Sequence, residues 1–299
     1  MRKVLILAVV IAAVGSIGKA LQDPQVRVEV EAVNVLVTVV DSSGRFLTDL
    51  TIDDFIVYED GRVQTLTNFS QDTDLPLRIG MLVDTSSSVR MKLDFEKEAA
   101  INFVNEVMRP RDRALLAVFD NGVTLLQDLT PRPDLLTQRI SRLQAGGGTA
   151  LLDAIYTVAR DKMVGDDLQK TIVLLSDGRD RDSEVTLNEA IDMAQKSEVT
   201  VFSIGTSRFG ASGSKDGDDM LERLAEQTGG EAFFPHSSDL LQEAFNQVNE
   251  ELRSRYSVTY VPINRTMDGK FRKIKVNVRG PKGMRVRHKA GYFASATGT

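Results

Sequence analysis

Residues 84–90 read DTSSSVR, a carboxylate followed by closely spaced hydroxyls at the end of the apolar run IGMLV. Such a cluster suits three chemistries: a helix cap, a nucleophile, or part of a ligand set for a hard metal ion. Two further stretches end in the same way. KTIVLLSD at 170–177 delivers Ser176 and Asp177, and AGGGT at 145–149 delivers Thr149 immediately before a helical pattern that starts at Ala150. Asp84, Ser86, Ser88, Thr149 and Asp177 together supply carboxylates and hydroxyls only, all hard oxygen donors. Mg²⁺ demands such donors in octahedral arrangement at about 2.0–2.1 Å. The expected cofactor is therefore Mg²⁺ (or Mn²⁺), with one position left for an acidic ligand from outside. The glycines at 146–148 remove side chains where Thr149 must approach.

The elements that must position these residues follow from periodicity. LRIGMLVD at 77–84, RALLAVFD at 113–120, KTIVLLSD at 170–177 and VTVFSIG at 199–205 are apolar runs of buried-strand type. Amphipathic patterns at 92–108, 132–143, 150–163, 185–196, 218–228 and 238–254 alternate with them, and Phe95, Ala99, Phe103 and Val107 are expected on one buried face. This alternation predicts an α/β fold, a doubly wound and mostly parallel sheet over 77–254. Ligands of such sheets bind at the carboxyl ends of the strands, where all five candidates fall. The stretches 85–92, 120–131 and 206–218 read as loops around that edge. Both ends of the chain instead show a period of two: 25–73 carries early strands about an Asp60-Gly61 turn, and 256–293 carries three late ones. Neither set alone covers its apolar face, so both are expected to form one small β-sandwich into which the α/β domain is inserted.

The pattern Asp84-x-Ser86-x-Ser88, then Thr149, then Asp177 resembles the metal-ion-dependent adhesion site of the von Willebrand factor type A domain, and the strand order from 77 to about 254 is similar to that family. The flanks DLTIDDFIVYEDGRVQTLTNF and YSVTYVPINRTMDGKFRKIKVNVRGPKGMRVRHKAGYF resemble a bacterial group of exported proteins related to that domain. The resemblance implies direct ligation by Ser86 and Ser88, ligation by Thr149, Asp84 and Asp177 directly or through water, and a protein partner whose Asp or Glu completes the ion's shell. It also implies a last helix, 238–254, able to couple the site to the β-sandwich. Arg179 is expected to steer the partner's carboxylate, Ser176 to hydrogen-bond, and the run 178–184 to be a solvated, mutually paired loop. Thr149 also suits the N-cap of helix 150–163.

Composition bounds the rest. The chain has 299 residues, no cysteine and a formal charge of −5, which excludes thiolate chemistry and disfavours nucleic acid as a partner. MRK followed by VLILAVVIAAV and SIGKA over 1–20 reads as an export signal with cleavage near Ala20, leaving no membrane span in the mature chain and a periplasmic or secreted location. The two histidines, His236 and His288, lie far in sequence from the hydroxyl cluster, and no G-x-S-x-G elbow is present. A non-enzymatic, metal-dependent adhesion module is thus the expected function. The alternatives are a metal-assisted hydrolase and a structural domain without bound metal.

Overall fold

The computed structural model describes residues 32–71, 75–165, 169–208 and 215–294. The expected export signal at 1–20 and the start of the first predicted strand lie outside the described residues. The chain runs through β1 (Val33–Val40), β2 (Phe55–Glu59), β3 (Arg62–Val63), β4 (Leu66–Gln71), β5 (Leu77–Asp84), α1 (Leu93–Val107), β6 (Arg113–Phe119), β7 (Val123–Thr130), α2 (Pro133–Ile140) and α3 (Leu151–Lys162). It continues through β8 (Gln169–Ser176), α4 (Leu187–Lys196), β9 (Val199–Gly205), α5 (Lys215–Thr228), β10 (Ala232–Phe233), α6 (Ser238–Leu252), β11 (Tyr256–Tyr260), β12 (Phe271–Val278), β13 (Arg285–Arg287) and β14 (Gly291–Phe293).

The central sheet has the order β10-β9-β8-β5-β6-β7, parallel except for the β6–β7 pair. Every residue of β8 and β9 is buried, because helices cover both sheet faces and leave no solvated side. One face packs α1, α2 and α6 through Phe103, Leu136 and Phe245, with the Phe103 and Phe245 rings 5.0 Å apart. The other packs α3, α4 and α5 through Ile155, Ile191 and Leu221. Strand order reverses between β5 and β8, which pair directly up to Val83 and Leu175. That switch point sets the carboxyl ends of these two strands side by side.

Two expectations about this domain are corrected. Phe95 is 51% exposed and not core, because steps of four residues drift about 40° each round a 3.6-residue helix and only Ala99, Phe103 and Val107 stay inward. The stretch 120–131 is not a loop: β7 pairs antiparallel to β6 as an edge strand, its register broken twice near Leu116. Its one solvated face and irregular pairing hide the strand period.

Both chain ends build the β-sandwich, one sheet ordered β13-β1-β11-β4 and the other β14-β12-β2-β3. Val35, Val37, Tyr256 and Val258 of the first face Phe55, Val57, Ile274 and Val276 of the second. The Tyr260 and Tyr292 hydroxyls both donate to Glu59 Oε2 at 2.9 Å, which satisfies a buried carboxylate. The predicted strand 284–293 is two short strands in different sheets. Between them Ala290 N donates to Gln227 O at 3.1 Å and its carbonyl accepts from Ile274 N at 2.9 Å, so the chain crosses from one sheet to the other at the end of α5.

Where α6 leads into β11, buried charges join sandwich and sheet. Glu251 Oε1 accepts from the Thr38 hydroxyl at 2.7 Å, and Oε2 pairs with Arg287 at 2.5 Å. Arg287 also holds Glu231 at 2.8 Å. Arg255, buried, approaches Glu251 at 3.7 Å and lies 4.9 Å from the centre of the Phe202 ring.

Candidate ligand-binding site at the carboxyl edge of the sheet

Asp84 ends β5 fully buried. Its Oδ1 accepts from Ser86 N at 2.8 Å, an Asx turn that reverses the chain, and its Oδ2 accepts from the Ser176 hydroxyl at 2.6 Å. Ser176 Oγ in turn accepts from Gly178 N at 3.1 Å, so this serine ties the ends of β5 and β8 together in the hydrogen-bonding role expected of it. The turn brings the Ser86 and Ser88 hydroxyls within 2.8 Å of each other, Ser86 buried and Ser88 exposed.

The glycine loop is clasped against this turn. Gly146 N donates to Thr85 O at 2.7 Å, and Ser87 bonds Gly147 O through both its amide and its hydroxyl. Gly147 has φ +81°, and a Cβ on Gly148 would lie 1.9 Å from Asp182 Oδ2, so neither position admits a side chain without rearrangement. Asp182 accepts from Thr149 N at 2.6 Å. Thr149 is buried, its carbonyl accepting from Arg181 N and Asp182 N, but it does not cap α3. Leu151 N instead donates to Asp180 Oδ1 at 2.9 Å, while Leu152 N and Asp153 N donate to Ser183 Oγ at 3.0 and 3.1 Å. The run 178–184 is partly exposed and paired with itself as expected, Ser183 Oγ donating to Asp180 Oδ1 at 2.6 Å, and it is also the cap of a neighbouring helix, because the first amides of α3 need acceptors and Ala150 offers no side-chain oxygen.

Asp177 is buried at 4% exposure. Its Oδ1 accepts from Arg179 N at 3.2 Å, and its Oδ2 lies 3.8 Å from Arg179 Nε and 3.9 Å from Lys92 Nζ. Arg179 thus faces Asp177 within its own loop. Lys92, just before α1, is itself buried and donates to Thr206 O at 2.8 Å. Burial lowers the Lys92 pKa against the pull of Asp177 and Glu96, and burial raises that of Asp84 despite its hydrogen bonds. One turn into α1, Glu96 is 1% exposed, and burial pushes its carboxyl up to about 8. Lys92, Glu96 and Thr206 went unread in the sequence. The available signal was a lysine and a glutamate one helical turn apart on the side of α1 that meets the Asp84 turn.

The expectation of bound Mg²⁺ or Mn²⁺ is corrected here. Among the described residues no three His, Cys, Asp or Glu side chains come together to hold an ion. Asp84 and Asp177 are the only carboxylates of the expected set. Both oxygens of Asp84 are already occupied from within, its burial favours the neutral form, and Asp177 faces a lysine and an arginine. A divalent ion needs deprotonated ligands free to turn toward it. Asp84, Ser86 and Ser88 share one turn and Asp177 lies close enough to Asp84 to raise its pKa, but these residues do not fit a resident metal ion.

The histidines are placed elsewhere. His288 Nε2 accepts from Val276 N at 3.1 Å within the sandwich, and burial lowers its pKa. His236 is exposed in the turn before α6.

Residues 79–247 match the von Willebrand factor type A domain, and the chain belongs to that family. A human relative, von Willebrand factor A domain-containing protein 3B (Homo sapiens), is 27% identical over 161 residues, covering 52% of this chain and 12% of the relative. The chain therefore spans a small part of that protein's length. Among solved structures, proximal thread matrix protein 1 from the mussel byssus, determined with a zinc-occupied MIDAS motif, is similar with a TM-score of 0.53 and 18% identity, over 65% of this chain and 49% of its own. A von Willebrand factor type A protein from Catenulispora acidiphila is similar with a TM-score of 0.53 and 13% identity, over 88% of this chain and 74% of its own. At such identities the likeness is one of fold.

Proposed function

We propose that this chain is a non-catalytic protein-binding module that works outside the cytoplasmic membrane and docks its partner at the carboxyl edge of the sheet without a resident metal ion. The observation that carries this reading is the rim of that edge. Met91 stands 91% exposed next to exposed Arg90, in the stretch that leads from the buried Asp84 through exposed Ser88 to the buried Lys92. An exposed apolar side chain flanked by a cation and hydroxyls suits a partner segment that pairs an apolar residue with an Asp or Glu. The five residues Asp84, Ser86, Ser88, Thr149 and Asp177 then serve as the rigid floor that fixes this rim.

A hydrolytic reading finds no supporting observation. At the end of β5 and β8 the serine that contacts a carboxylate, Ser176, is fully buried with Asp84, and a nucleophile must reach its substrate. The location rests on the basic start and apolar stretch of residues 1–20. Among the described residues no helix is long and apolar enough to cross a membrane.

The test is selection of displayed peptides on the full chain in the presence of EDTA, followed by titration of the enriched sequences. Acidic peptides with an apolar neighbour, bound equally with EDTA or Mg²⁺ and lost in Met91→Asp and Arg90→Glu, are expected. Binding abolished by EDTA, or indifferent to both substitutions, would overturn the reading.

A further inference from the structure

One end of the β-sandwich carries an exposed crossing between its two sheets. Val33, the first residue of β1, pairs there with Tyr260, the last of β11, and the Tyr260 hydroxyl donates to Glu59, just before the Asp60-Gly61 turn of the other sheet. From this end the chain passes from β11 to β12 through residues 263–271, every one of them exposed. The crossing is pinned along its length. Ile263 N donates to Gln64 Oε1 at 3.1 Å, Arg272 donates to Thr266 O at 3.1 Å and to Asp268 at 2.7 Å, and the Phe271 and Phe293 rings lie 5.2 Å apart. Even so, Ile263 is left 60% exposed, Met267 37% and Phe271 38%. A loop held in shape with three large apolar side chains in water marks a surface that something else covers.

The charge around these side chains is positive. Residues 256–294 hold ten basic side chains and a single acid, Asp268, on a chain whose net charge is −5. Asp268 is taken up by Arg272 at 2.7 Å and Lys270 at 3.6 Å. Arg265 on the crossing, with Lys273 and Lys275 on the outer face of β12, is exposed, and none of the three makes an ion pair with a described residue. The other exposed acid at this end, Asp60, accepts from the Lys273 amide at 3.0 Å. Cations interleaved with apolar side chains on one exposed loop fit the interface of an anionic bilayer, where lipid phosphates meet the charges and the apolar groups reach the acyl boundary.

The path of the chain favours the same occupant. VLILAVVIAAV at 4–14, read as part of an export signal, precedes β1, and the residues from Leu21 to Ala32 span at most about 40 Å. The stretch that engages the bilayer during export is thus tied to the sandwich at this very end. Ala32 and Asn34 also share a cleft with Gln169, Lys170 and Val199, at the starts of β8 and β9, which sets this end on the amino side of the central sheet. The carboxyl edge lies at the opposite ends of those strands, roughly 25 Å away along β8.

We infer that this end of the sandwich docks on an anionic phospholipid bilayer, with Ile263, Met267 and Phe271 entering the headgroup layer and Arg265, Lys273 and Lys275 set against lipid phosphates. The carboxyl edge then faces away from the membrane, open to a partner. The surface is separate from that edge and does not depend on the function proposed for it.

The experiment is co-sedimentation of the chain from Leu21 onward, which retains all three hydrophobic cores, with vesicles of equal parts phosphatidylglycerol and phosphatidylcholine and with vesicles of phosphatidylcholine alone. Expected are binding to the first and about tenfold weaker binding to the second. Arg265→Gln and Lys275→Gln should each weaken binding about fivefold, the worth of one basic residue near an anionic surface. Ile263→Asp combined with Met267→Asp should weaken it about tenfold or more. All four side chains are exposed, so the circular dichroism of these variants should match the parent's, and Met91→Asp should bind as the parent does. Binding to neither vesicle, or equal binding to both, would overturn the inference. So would full binding by the Ile263→Asp, Met267→Asp variant, which would show a surface for polyanions such as an acidic protein.

Discussion

Glu251, at the seam between sheet and sandwich, is met by the Thr38 hydroxyl and by the guanidinium groups of Arg287 and Arg255. Glu96, beneath the carboxyl edge, is equally buried, yet neither of its oxygens reaches a hydrogen-bond partner at bonding distance. The Thr206 hydroxyl and the Lys92 ammonium lie near it and hold its pKa down only in part. The contrast separates two uses of buried charge. A carboxylate held by partners on both oxygens fixes geometry, and at the seam Glu251 joins the two chain ends to the domain inserted between them. An acid buried without such partners stays neutral instead, and its cost appears as a dependence of stability on pH.

The comparison breaks first at the seam. Glu251→Ala leaves Arg255 and Arg287 buried without their shared anion, and removing one partner of a buried pair costs about 3–5 kcal/mol. Urea denaturation should show a loss of that size. A loss below about 1 kcal/mol would mean that water reaches the seam and the network fixes nothing.

Glu96 sharpens it from the other side. Its carboxyl titrates at about 8 in the folded chain against an ordinary value of 4.5, so between those values the native state keeps a proton that the unfolded chain has released. Stability must therefore fall as pH rises through that window and level off above it. Glu96→Gln removes the dependence and should stabilise the chain at pH 7 by on the order of 3 kcal/mol, at about 1.4 kcal/mol per pH unit. Denaturation at pH 5 and pH 8, compared between the two proteins, isolates this residue, since Asp84 contributes equally to both. Parallel pH profiles would show that Glu96 is ionised and solvated in the native state.

Much of this was legible in the sequence for a physical reason. Uninterrupted apolar runs such as those of β5, β8 and β9 have no reading but buried strands, and helices of ten or more residues between them force a parallel sheet with its switch point at Asp84 and Asp177. The return to a period of two at both ends likewise required a shared sandwich, since neither half could cover itself. What escaped was set by tertiary partners. The edge strand β7 carries no clean alternation because one face is solvated and its pairing is bulged. Ligation by a metal ion was inferred from residue types and order, and the sequence could not reveal that Ser176 and Lys92 already engage the carboxylates. The role of 178–184 was hidden for the same reason, since a cap donated from another loop leaves no mark next to the helix it serves.

That cap gives the smallest of these effects and the most local one. Asp180 Oδ1 accepts from Leu151 N at 2.9 Å and from the Ser183 hydroxyl at 2.6 Å, so one carboxylate both caps α3 and aims the serine that caps its next two amides. Asp180→Ala should lower stability by about 1 kcal/mol, the usual worth of a lost cap. Asp180→Asn keeps an acceptor and should cost less. Because the loop that carries Asp180 also carries Asp182, which holds Thr149 N, loosening the cap should speed amide exchange at Leu151 and Leu152 first and at Thr149 with them, while Glu251 and its partners stay protected. Unchanged exchange at Leu151 and Leu152 would sink the assignment, and faster exchange at the seam would show that the two ends of the sheet are not independent.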